Sequence, residues 1–301
     1  MRLGLLERRD GSQAVCAWTE AGVVDLELAR ERLGAPPDAA TRSLAAAVED
    51  ADAVERLARL AQAGRAWAEP PAEVRWLPPL VRPDRPVFCV GKNYAEHVRE
   101  GARAGEGSAL PAAPMFFTKL AATVVGNGRP VVAWSHTREL DYEAELGVVL
   151  GRDGRDVGED EVPARIFGYT LVNDVTARDL QRLHGQWFKG KNLETFCPVG
   201  PWIVTADEVG WPVELELTLR VNGEIRQRLH TREMIFDIAR IVADLSRGLT
   251  LRAGDLISTG TGPGCAFGMA EPRWLRPGDR VEVECGAIGT LWNEIVGDAG
   301  R

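Results

Sequence analysis

The sequence has no apolar run of the roughly 18 residues that a membrane-spanning helix requires, so we expect no transmembrane segment. The N-terminal stretch MRLGLLERRDGSQ reaches charged residues too early for a secretory signal, which needs a continuous apolar segment. A basic excess is also missing, because the net charge is −8. This charge argues against nucleic acid or an anionic membrane as the main partner. It does not exclude a small anionic substrate, since a local site can oppose the overall charge.

Cysteine is scarce and scattered. The five cysteines are odd in number, and none forms a CxxC pair. We therefore expect neither a zinc site of the usual spacing nor a disulfide framework. Reduced thiols in a cytoplasmic protein are the simplest interpretation.

The remaining composition is that of a globular protein. Hydrophobic residues make up 45% of the 301 positions, which suffices for one large domain or for a medium domain with an appendage. Residues 69–86 contain six prolines, and because proline blocks helices and central strands we interpret this segment as a connector. We therefore predict a small α/β N-terminal domain with its connector over residues 1–82 and a second domain over residues 83–301. Elements expected in the first domain are strands at 1–6 and 14–18 and a helical stretch at 41–67.

Strand signals dominate the second domain. Apolar or alternating segments predict strands at 87–90, 166–173, 213–221, 256–259 and 281–284. Asn127-Gly128 and Asn222-Gly223 each indicate a hairpin between the flanking strands. Helical spacing occurs at 94–100 and 235–245. Many strands and few helices predict an α+β, β-rich fold with a closed or rolled mixed sheet.

Two glutamates lie two residues apart in the strand-like segment ELDYEAELGVVL at 139–150. Side chains at i and i+2 of a strand point to the same side, so Glu143 and Glu145 are neighbours. Their repulsion, which burial increases, must be offset by a shared proton, by basic partners or by a cation. Oxygen ligands suit Mg²⁺, Mn²⁺ or Ca²⁺ better than zinc. The alternative is that both glutamates form cross-strand salt bridges on a half-wet sheet.

Asp174 ends an apolar strand and is the best candidate for a third ligand, although a residue in this position can equally be a turn or helix cap. The segment after it is typical of a helix start, on which Arg178 and Gln181 would share a face with Asp174. Lys191 follows in the sequence GKN at 190–192. A carboxylate, a guanidinium, an amide and an ammonium beside a cation would suit an anionic, oxygen-rich substrate.

Six motifs in order make the sequence similar to the fumarylacetoacetate hydrolase family over about residues 83–298. The motifs are GKNYAEHVREG (91–101), LDYEAELGVV (140–149), GYTLVNDVTARDLQ (168–181), GKNLETFCPVGPWIV (190–204), RVNGEIRQ (220–227) and LRAGDLISTGTGPG (251–264). The match is specific for the family but not for one of its members. Residues 1–82 resemble the smaller N-terminal domain of some longer members.

The resemblance implies a β-rich roll of mixed sheets, a homodimer, and Mg²⁺ or Mn²⁺ bound by Glu143, Glu145 and Asp174. Family substrates are mostly 2-oxo acids with a further carbonyl or double bond, such as acylpyruvates. Chelation of the acid and 2-oxo oxygens would provide Lewis-acid catalysis and orientation. Cleavage of a carbon–carbon bond leaves an enolate, whose charge Lys191 would help to stabilise.

The resemblance also implies substrate contacts. Arg178 and Gln181 resemble positions that hold substrate oxygens, and Thr261 resembles the position that contacts the substrate carboxylate. The chain departs from many members at 260–264, where GTGPG replaces a Gly-Thr-Pro run. This departure leaves the distal part of the substrate undefined. Lys119 could equally contact substrate or lie on the surface.

His97 and Glu100 are three residues apart, so they are neighbours on a helix. A carboxylate beside a histidine fixes its tautomer and raises its basicity. On the residues alone, a surface histidine is the commoner case, whereas the resemblance implies a His–Glu pair on a lid that activates water. Residues 101–114, which are small, polar and rich in breakers, are the candidate mobile lid.

These features support three hypotheses. The first, which we prefer, is a divalent-metal-dependent hydrolase that cleaves a carbon–carbon bond in a 2,4-dioxo acid of the acylpyruvate or fumarylpyruvate type. The second keeps the site but isomerises, decarboxylates or hydrates a 2-oxo acid or 2-hydroxy-dienoate from aromatic catabolism. The third is a non-enzymatic metal-binding β module.

Overall fold

The computed structural model of the protein describes residues 1–80, 82–103, 107 and 109–298. The strands of these residues are β1 (Arg2–Glu7), β2 (Gln13–Thr19), β3 (Gly22–Asp25), β4 (Arg75–Leu77), β5 (Val87–Gly91), β6 (Met115–Lys119), β7 (Val124–Val125), β8 (Val131–Ala133), β9 (Leu140–Asp141), β10 (Ala144–Leu150), β11 (Ile166–Asn173), β12 (Thr176–Ala177), β13 (Cys197–Thr205), β14 (Glu216–Val221), β15 (Glu224–His230), β16 (Leu256–Thr261), β17 (Arg280–Cys285) and β18 (Gly289–Gly297). The α-helices are α1 (Leu26–Arg32), α2 (Leu44–Glu49), α3 (Ala53–Ala63), α4 (Ala95–Arg103), α5 (Arg178–His184), α6 (Trp187–Lys191), α7 (Ala206–Val209) and α8 (Ile238–Leu245). Within the described ranges, no helix combines the length and the apolar character needed to cross a bilayer.

The largest sheet is mixed, with the strand order β3-β2-β1-β13-β11-β10-β16-β5-β6. At its centre β10 and β11 pair antiparallel, from Ala144 opposite Asn173 to Leu150 opposite Ile166. Every residue of β10 is buried. Burial on both faces explains why this strand is almost continuously apolar. A charged side chain on β10 therefore lies inside the protein.

A second sheet, with the order β15-β14-β17-β18-β8, shares an apolar core with the first. Leu217 and Leu219 of β14 lie in the same core cluster as Leu146 of β10. The turn between β14 and β15 has φ of 53° at Asn222 and 81° at Gly223. A two-residue hairpin of type I′ needs positive φ at both positions, so the predicted hairpin is confirmed.

The N-terminal strands extend the large sheet. β1 pairs with β2 on one side and with β13 on the other, where Leu3 lies opposite Ile203. A second core cluster joins Leu3 and Leu57 to Val172 and Ile203. The N-terminal segment thus shares both a sheet and a core with the rest of the chain, and the division at residue 82 stays a prediction.

Some predictions about the fold need correction. The segments beside Asn127-Gly128 do not form a hairpin, because β7 pairs with β13 and β8 pairs with β18. In the turn between β7 and β8, the N–H of Gly128 donates to Trp292 O at 2.8 Å. The helical stretch at 41–67 is divided into α2 and α3, since the backbone is extended at Asp50.

The large sheet has free edges at β3 and β6, so the described strands form open sheets and the prediction of a closed sheet is wrong. The β-rich α+β class is confirmed.

Candidate active site

Three carboxylates meet at the centre of the large sheet. Glu143, Glu145 and Asp174 are buried, and one oxygen of each lies within 4.8 Å of the others. Glu143 immediately precedes β10 and Asp174 immediately follows β11, its antiparallel partner. The backbone N–H of Asp174 donates to Glu143 O at 2.9 Å. The register of one strand pair therefore brings these acids together from distant positions in the chain.

Two of the three carboxylates are held by cations. Arg178 Nη2 donates to Glu143 Oε1 at 2.5 Å, and Lys191 Nζ donates to Glu143 Oε2 at 2.6 Å and to Asp174 Oδ2 at 2.7 Å. Although burial opposes its ionisation, the charges of Lys191 and Arg178 lower the pKa of Glu143 below its usual range. Glu143 thus has basic partners, but they lie on α5 and α6 and the site is buried, so the alternative of cross-strand salt bridges on a half-wet sheet is wrong for Glu143.

Glu145 has a different environment. Its Oε2 accepts a hydrogen bond from Ser258 Oγ at 2.5 Å and another from the backbone N–H of Gly260 at 2.9 Å. Among the described residues, none forms an ion pair with Glu145. Burial, together with the charges of Asp174 and Glu143, raises its pKa to about 8. Glu145 is therefore the member of the cluster whose negative charge has no cationic partner among the described residues.

The cluster fits a divalent cation. All three donors are carboxylate oxygens, which suit Mg²⁺ and Mn²⁺. Each carboxylate has about four lone-pair positions, so Glu143 and Asp174 can bind a cation and keep their bonds to Lys191. A cation would also offset the repulsion that raises the pKa of Glu145. Glu143, Glu145 and Asp174 are therefore the residues that would hold the ion.

The helix that carries Arg178 begins later than predicted. Thr176–Ala177 first pair with Leu140–Asp141, so α5 starts at Arg178 and Asp174 is not on its face. Arg178 and Gln181 are still neighbours, and Arg178 Nη1 donates to Gln181 Oε1 at 3.3 Å. The residues lie together as expected, but the explanation by a shared helix face with Asp174 is wrong.

A short helix brings Lys191 to the carboxylates. α6 packs closely on α5, where a Cβ atom added to Gly190 would lie 2.7 Å from Ala177 O. Glycine is therefore required for this approach, and it places the next residue, Lys191, inside the site. Burial opposes the charge on Lys191, but Asp174 and Glu143 raise its pKa, so it remains an ammonium.

Asp141 is a site residue that sequence reasoning missed. It is fully buried, and its Oδ2 accepts from Arg178 Nε at 2.9 Å. Its carboxylate also accepts from the backbone N–H groups of Ala266 at 2.8 Å and Phe267 at 3.2 Å. The guanidinium of Arg178 lies over the Phe267 ring, 4.2 Å from its centroid. The available signal was its spacing, because Asp141 lies two residues before Glu143, just as Glu143 lies two residues before Glu145.

Lys119 is buried, so the expectation that it lies on the surface is wrong. Its ammonium donates to the Asp174 carboxylate and to Val175 O, the latter at 3.0 Å. It is not among the residues that line the cleft beside the carboxylates. Lys119 is therefore a cationic partner of Asp174.

Thr261 lines the cleft, but its hydroxyl group is engaged by the protein. It donates to Ala144 O at 2.9 Å and accepts from Gln227 Nε2 at 2.9 Å. Thr261 lies opposite Glu145 in the pairing of β10 with β16. Gln227 is a second residue that sequence reasoning missed, and it fixes the strand ends on which Glu145 and Thr261 lie.

His97 and Glu100 lie on α4 but do not form a hydrogen bond. His97 Nδ1 is 3.9 Å from Glu100 Oε2, which exceeds hydrogen-bond distance. Glu100 instead accepts from the backbone N–H of Gly264 at 2.9 Å. Burial lowers the pKa of His97 to about 4 and raises the pKa of Glu100 to about 7. Residues 104–106 and 108 of the predicted lid lie outside the described residues.

Glu143 and Glu145 face a small cleft of about 30 Å³, whose lining does not include Asp174. Seven of the predicted site residues line it, namely His97, Glu143, Glu145, Arg178, Gln181, Lys191 and Thr261. Lys92, Phe117 and Trp187 complete its walls. A larger groove of about 620 Å³, lined by Trp18, Trp202 and Trp292, shares none of these residues. The small cleft is the candidate active site, because the buried charges are there.

Comparison with known proteins gives consistent results. The family profile described as "Fumarylacetoacetate (FAA) hydrolase C-terminal" matches residues 86–296. The oxaloacetate tautomerase YisK of Bacillus subtilis (strain 168) is 43% identical over 225 residues, which are 74% of this chain and 74% of that protein.

Two solved structures are also similar over nearly the whole chain. A fumarylacetoacetate hydrolase from psychrophilic Exiguobacterium antarcticum has a TM-score of 0.80 and 36% identity, with 99% of this chain and 100% of that chain covered. A 2-hydroxyhepta-2,4-diene-1,7-dioate isomerase from Mycobacterium marinum has a TM-score of 0.71 and 32% identity, with both chains fully covered at 100%.

Proposed function

The chain belongs to the fumarylacetoacetate hydrolase family, and we propose that it is a divalent-cation-dependent tautomerase of a short 2-oxo acid such as oxaloacetate. The observation that carries this proposal is the buried cluster of Glu143, Glu145 and Asp174, which lies beside the ammonium of Lys191 in a small cleft. The relative named as an oxaloacetate tautomerase supports this reaction over hydrolysis. The first hypothesis, a carbon–carbon hydrolase, therefore becomes the second candidate.

The cleft contains the groups that tautomerisation needs. In that reaction a proton leaves carbon 3 of the 2-oxo acid, and the oxygen on carbon 2 gains one. His97 is neutral above about pH 5 because of its lowered pKa, so it can take the proton from carbon 3. Lys191 remains an ammonium and can donate a hydrogen bond to the oxygen on carbon 2. Mg²⁺ or Mn²⁺, when bound, would supply Lewis-acid polarisation of that oxygen and orient the acid.

Hydrolysis of a 2,4-dioxo acid remains the second candidate because Glu100 lies near His97. A pair of this kind could activate water for attack on the distal carbonyl. The similar isomerase structure supports a related reaction, isomerisation of a dienedioate, which also moves a proton between atoms of the substrate.

The assay that tests the proposal follows the enol form of oxaloacetate by its ultraviolet absorbance after the keto form is added. We expect the protein with Mg²⁺ to speed equilibration, and EDTA to abolish the effect. Acetylpyruvate and fumarylpyruvate, tested in parallel, report on hydrolysis through the release of pyruvate. Loss of these compounds without any effect on oxaloacetate would replace tautomerisation by hydrolysis. Calorimetric binding of Mg²⁺ without activity and without affinity for oxalate would favour a non-enzymatic module.

A pH profile tests the roles of His97 and Glu100. Glu100 is protonated below its raised pKa of about 7, so its carboxylate supports His97 only at higher pH. We expect kcat/KM of the wild type to rise through about pH 7, and Glu100→Gln to remove this rise. His97→Asn should lower kcat by about 10²–10⁴-fold at all pH values. A Glu100→Gln profile identical to the wild type would contradict the role of Glu100.

Stability provides a second readout for Glu100. Its folded-state pKa is raised, so its contribution to stability is complete below its ordinary pKa and is lost as pH rises through about 7. The melting temperature of the wild type should therefore fall relative to Glu100→Gln between pH 5 and pH 8. Glu214→Gln, an exposed change of the same type, is the control and should show no such trend.

The homodimer that the resemblance implies and the cytoplasmic location that the scattered cysteines indicate stay predictions. Leu183 and Phe188 are 75% and 55% exposed at the adjacent helices α5 and α6, and apolar surface of this kind is often covered by a second copy. Sedimentation velocity would contradict the proposed homodimer if it gave the mass of a single chain. A cytoplasmic location and a single small-molecule partner remain to be measured in cells.

A further inference from the structure

Lys92, at the wall of the cleft, has a backbone conformation that side-chain-bearing residues rarely adopt. Its φ is 56°, in the left-handed region. Such a conformation persists only where the surroundings impose it, and it is concentrated at functional sites. The side chain that it directs lines the cleft together with Arg178 and Lys191.

The neighbours of Lys92 impose this conformation. Asn93 is fully buried, and its amide donates to Thr259 O at 2.8 Å and to Phe236 O at 3.0 Å. Its side-chain oxygen accepts from the N–H of Phe236 at 2.9 Å. On the other side, a Cβ atom added to Gly91 would lie 2.1 Å from the Trp187 ring. Lys92 is therefore held between two fixed residues.

The ammonium of Lys92 differs from the other cations of the site. Arg178 is bound to two carboxylates, and so is Lys191. Lys119 is bound to Asp174. Lys92 has no carboxylate within ion-pair distance in the part of the chain that the structure describes, although it is near enough to His97 to affect its pKa. Lys92 is thus the cleft cation that remains available to a ligand.

The charges of the site indicate how many carboxylates that ligand has. Four acids form the site's buried charge network: Asp141, Glu143, Glu145 and Asp174. Three cations pair with them: Lys119, Arg178 and Lys191. A divalent ion would turn the remaining negative charge into one positive charge, which balances a monocarboxylate. Lys92 adds a second positive charge, and this balances a dicarboxylate.

We propose that Lys92 binds the distal carboxylate of a 2-oxo dicarboxylic acid, and so selects dicarboxylates over monocarboxylates of the same chain length. This inference rests on the proposed function, because it takes the 2-oxo acid head to lie at the carboxylate cluster.

Binding to the Mg²⁺-loaded protein tests this inference without turnover. L-Malate and 2-hydroxybutanoate share the 2-hydroxy acid head and the four-carbon chain, and only malate has a second carboxylate. The test variant is Lys92→Asn, because asparagine tolerates the left-handed conformation and removes the charge. Lys92→Arg keeps the charge and is the rescue variant. Calorimetry with Mg²⁺ alone verifies that each variant retains the cation site.

We expect the wild type and Lys92→Arg to bind malate about 10–100-fold more tightly than 2-hydroxybutanoate, the effect of one charge-assisted hydrogen bond. In Lys92→Asn the two affinities should become nearly equal through the loss of malate binding. An unchanged ratio, or an equal loss for both ligands, would overturn the inference. If oxaloacetate is not turned over but the ratio of the malate and 2-hydroxybutanoate affinities depends on Lys92, the proposed function is wrong and the inference about Lys92 stands. If oxaloacetate is turned over and the ratio is independent of Lys92, this inference fails alone.

Discussion

Replacement of Glu145 by glutamine is expected to abolish cation binding and activity while making the cation-free protein more stable. The amide keeps the shape of the side chain and can still accept from the N–H of Gly260 and bond to the hydroxyl of Ser258. Burial and the charges of Asp174 and Glu143 raise the pKa of Glu145 to about 8, so folding at neutral pH requires this group to take up a proton, a cost that glutamine does not have. We expect a gain of about 1 kcal/mol in the free energy of unfolding in EDTA.

The loss of function should be large because a direct ligand is removed. Changes in residues that only orient metal ligands typically lower metal affinity or activity by 10–100-fold. Glu145→Gln should therefore lower both the Mn²⁺ affinity and kcat/KM by more than about 100-fold. Calorimetry with Mn²⁺ and urea unfolding in EDTA measure the two effects separately. Glu214→Gln, an exposed change of the same type, should alter neither. Undiminished Mn²⁺ binding by Glu145→Gln would show that the cluster is not the cation site.

Replacement of Lys191 by methionine should also abolish activity, but with the opposite effect on stability. Lys191 donates to both Glu143 and Asp174, and all three side chains are buried. Removal of one partner from a buried ion pair typically costs about 3–5 kcal/mol, because the other charges stay buried without compensation. We expect a loss of this size in the cation-free protein, and a partial recovery in Mg²⁺, whose charge takes the place of the ammonium.

Lys191→Met should lower kcat by about 10²–10³-fold, the usual result of removing one group that stabilises developing charge on oxygen. Enol–keto equilibration of oxaloacetate at saturating Mg²⁺ measures it, so that weaker cation binding does not contribute. Lys189→Met provides the matched control, since Lys189 lies exposed on the same helix and should change stability by less than about 0.5 kcal/mol. Full activity of Lys191→Met would remove Lys191 from the mechanism.

The same site can serve hydrolysis, isomerisation or tautomerisation, because in each reaction negative charge develops on the oxygen at carbon 2. Under the proposed function, Lys191 and a cation held by the carboxylate cluster would stabilise this charge in every case, so they do not distinguish the reactions. The difference would lie in whether His97 deprotonates a carbon or a water, and in which distal group the cleft accepts. This explains why the motifs identify the family but not its reaction.

Many local elements and most of the charged site could be predicted from neighbouring residues in the sequence. Burial on both faces makes a strand apolar, so Glu145 and Asp174 were recognisable as charges that β10 and β11 had to accommodate. Asn222-Gly223 was recognisable as a hairpin because both residues adopt positive φ readily. These features depend on a few neighbouring residues, and a sequence shows neighbours directly.

Which segments meet follows from the tertiary structure. Asn127-Gly128 carries the same turn signal, yet its flanking strands pair with β13 and β18 instead of with each other. Lys119 and Lys92 had no distinctive pattern in the sequence, and their roles come from the partners that they contact or lack after folding. The energy of a buried charge depends on every charge around it, and those neighbours are brought together only by the fold.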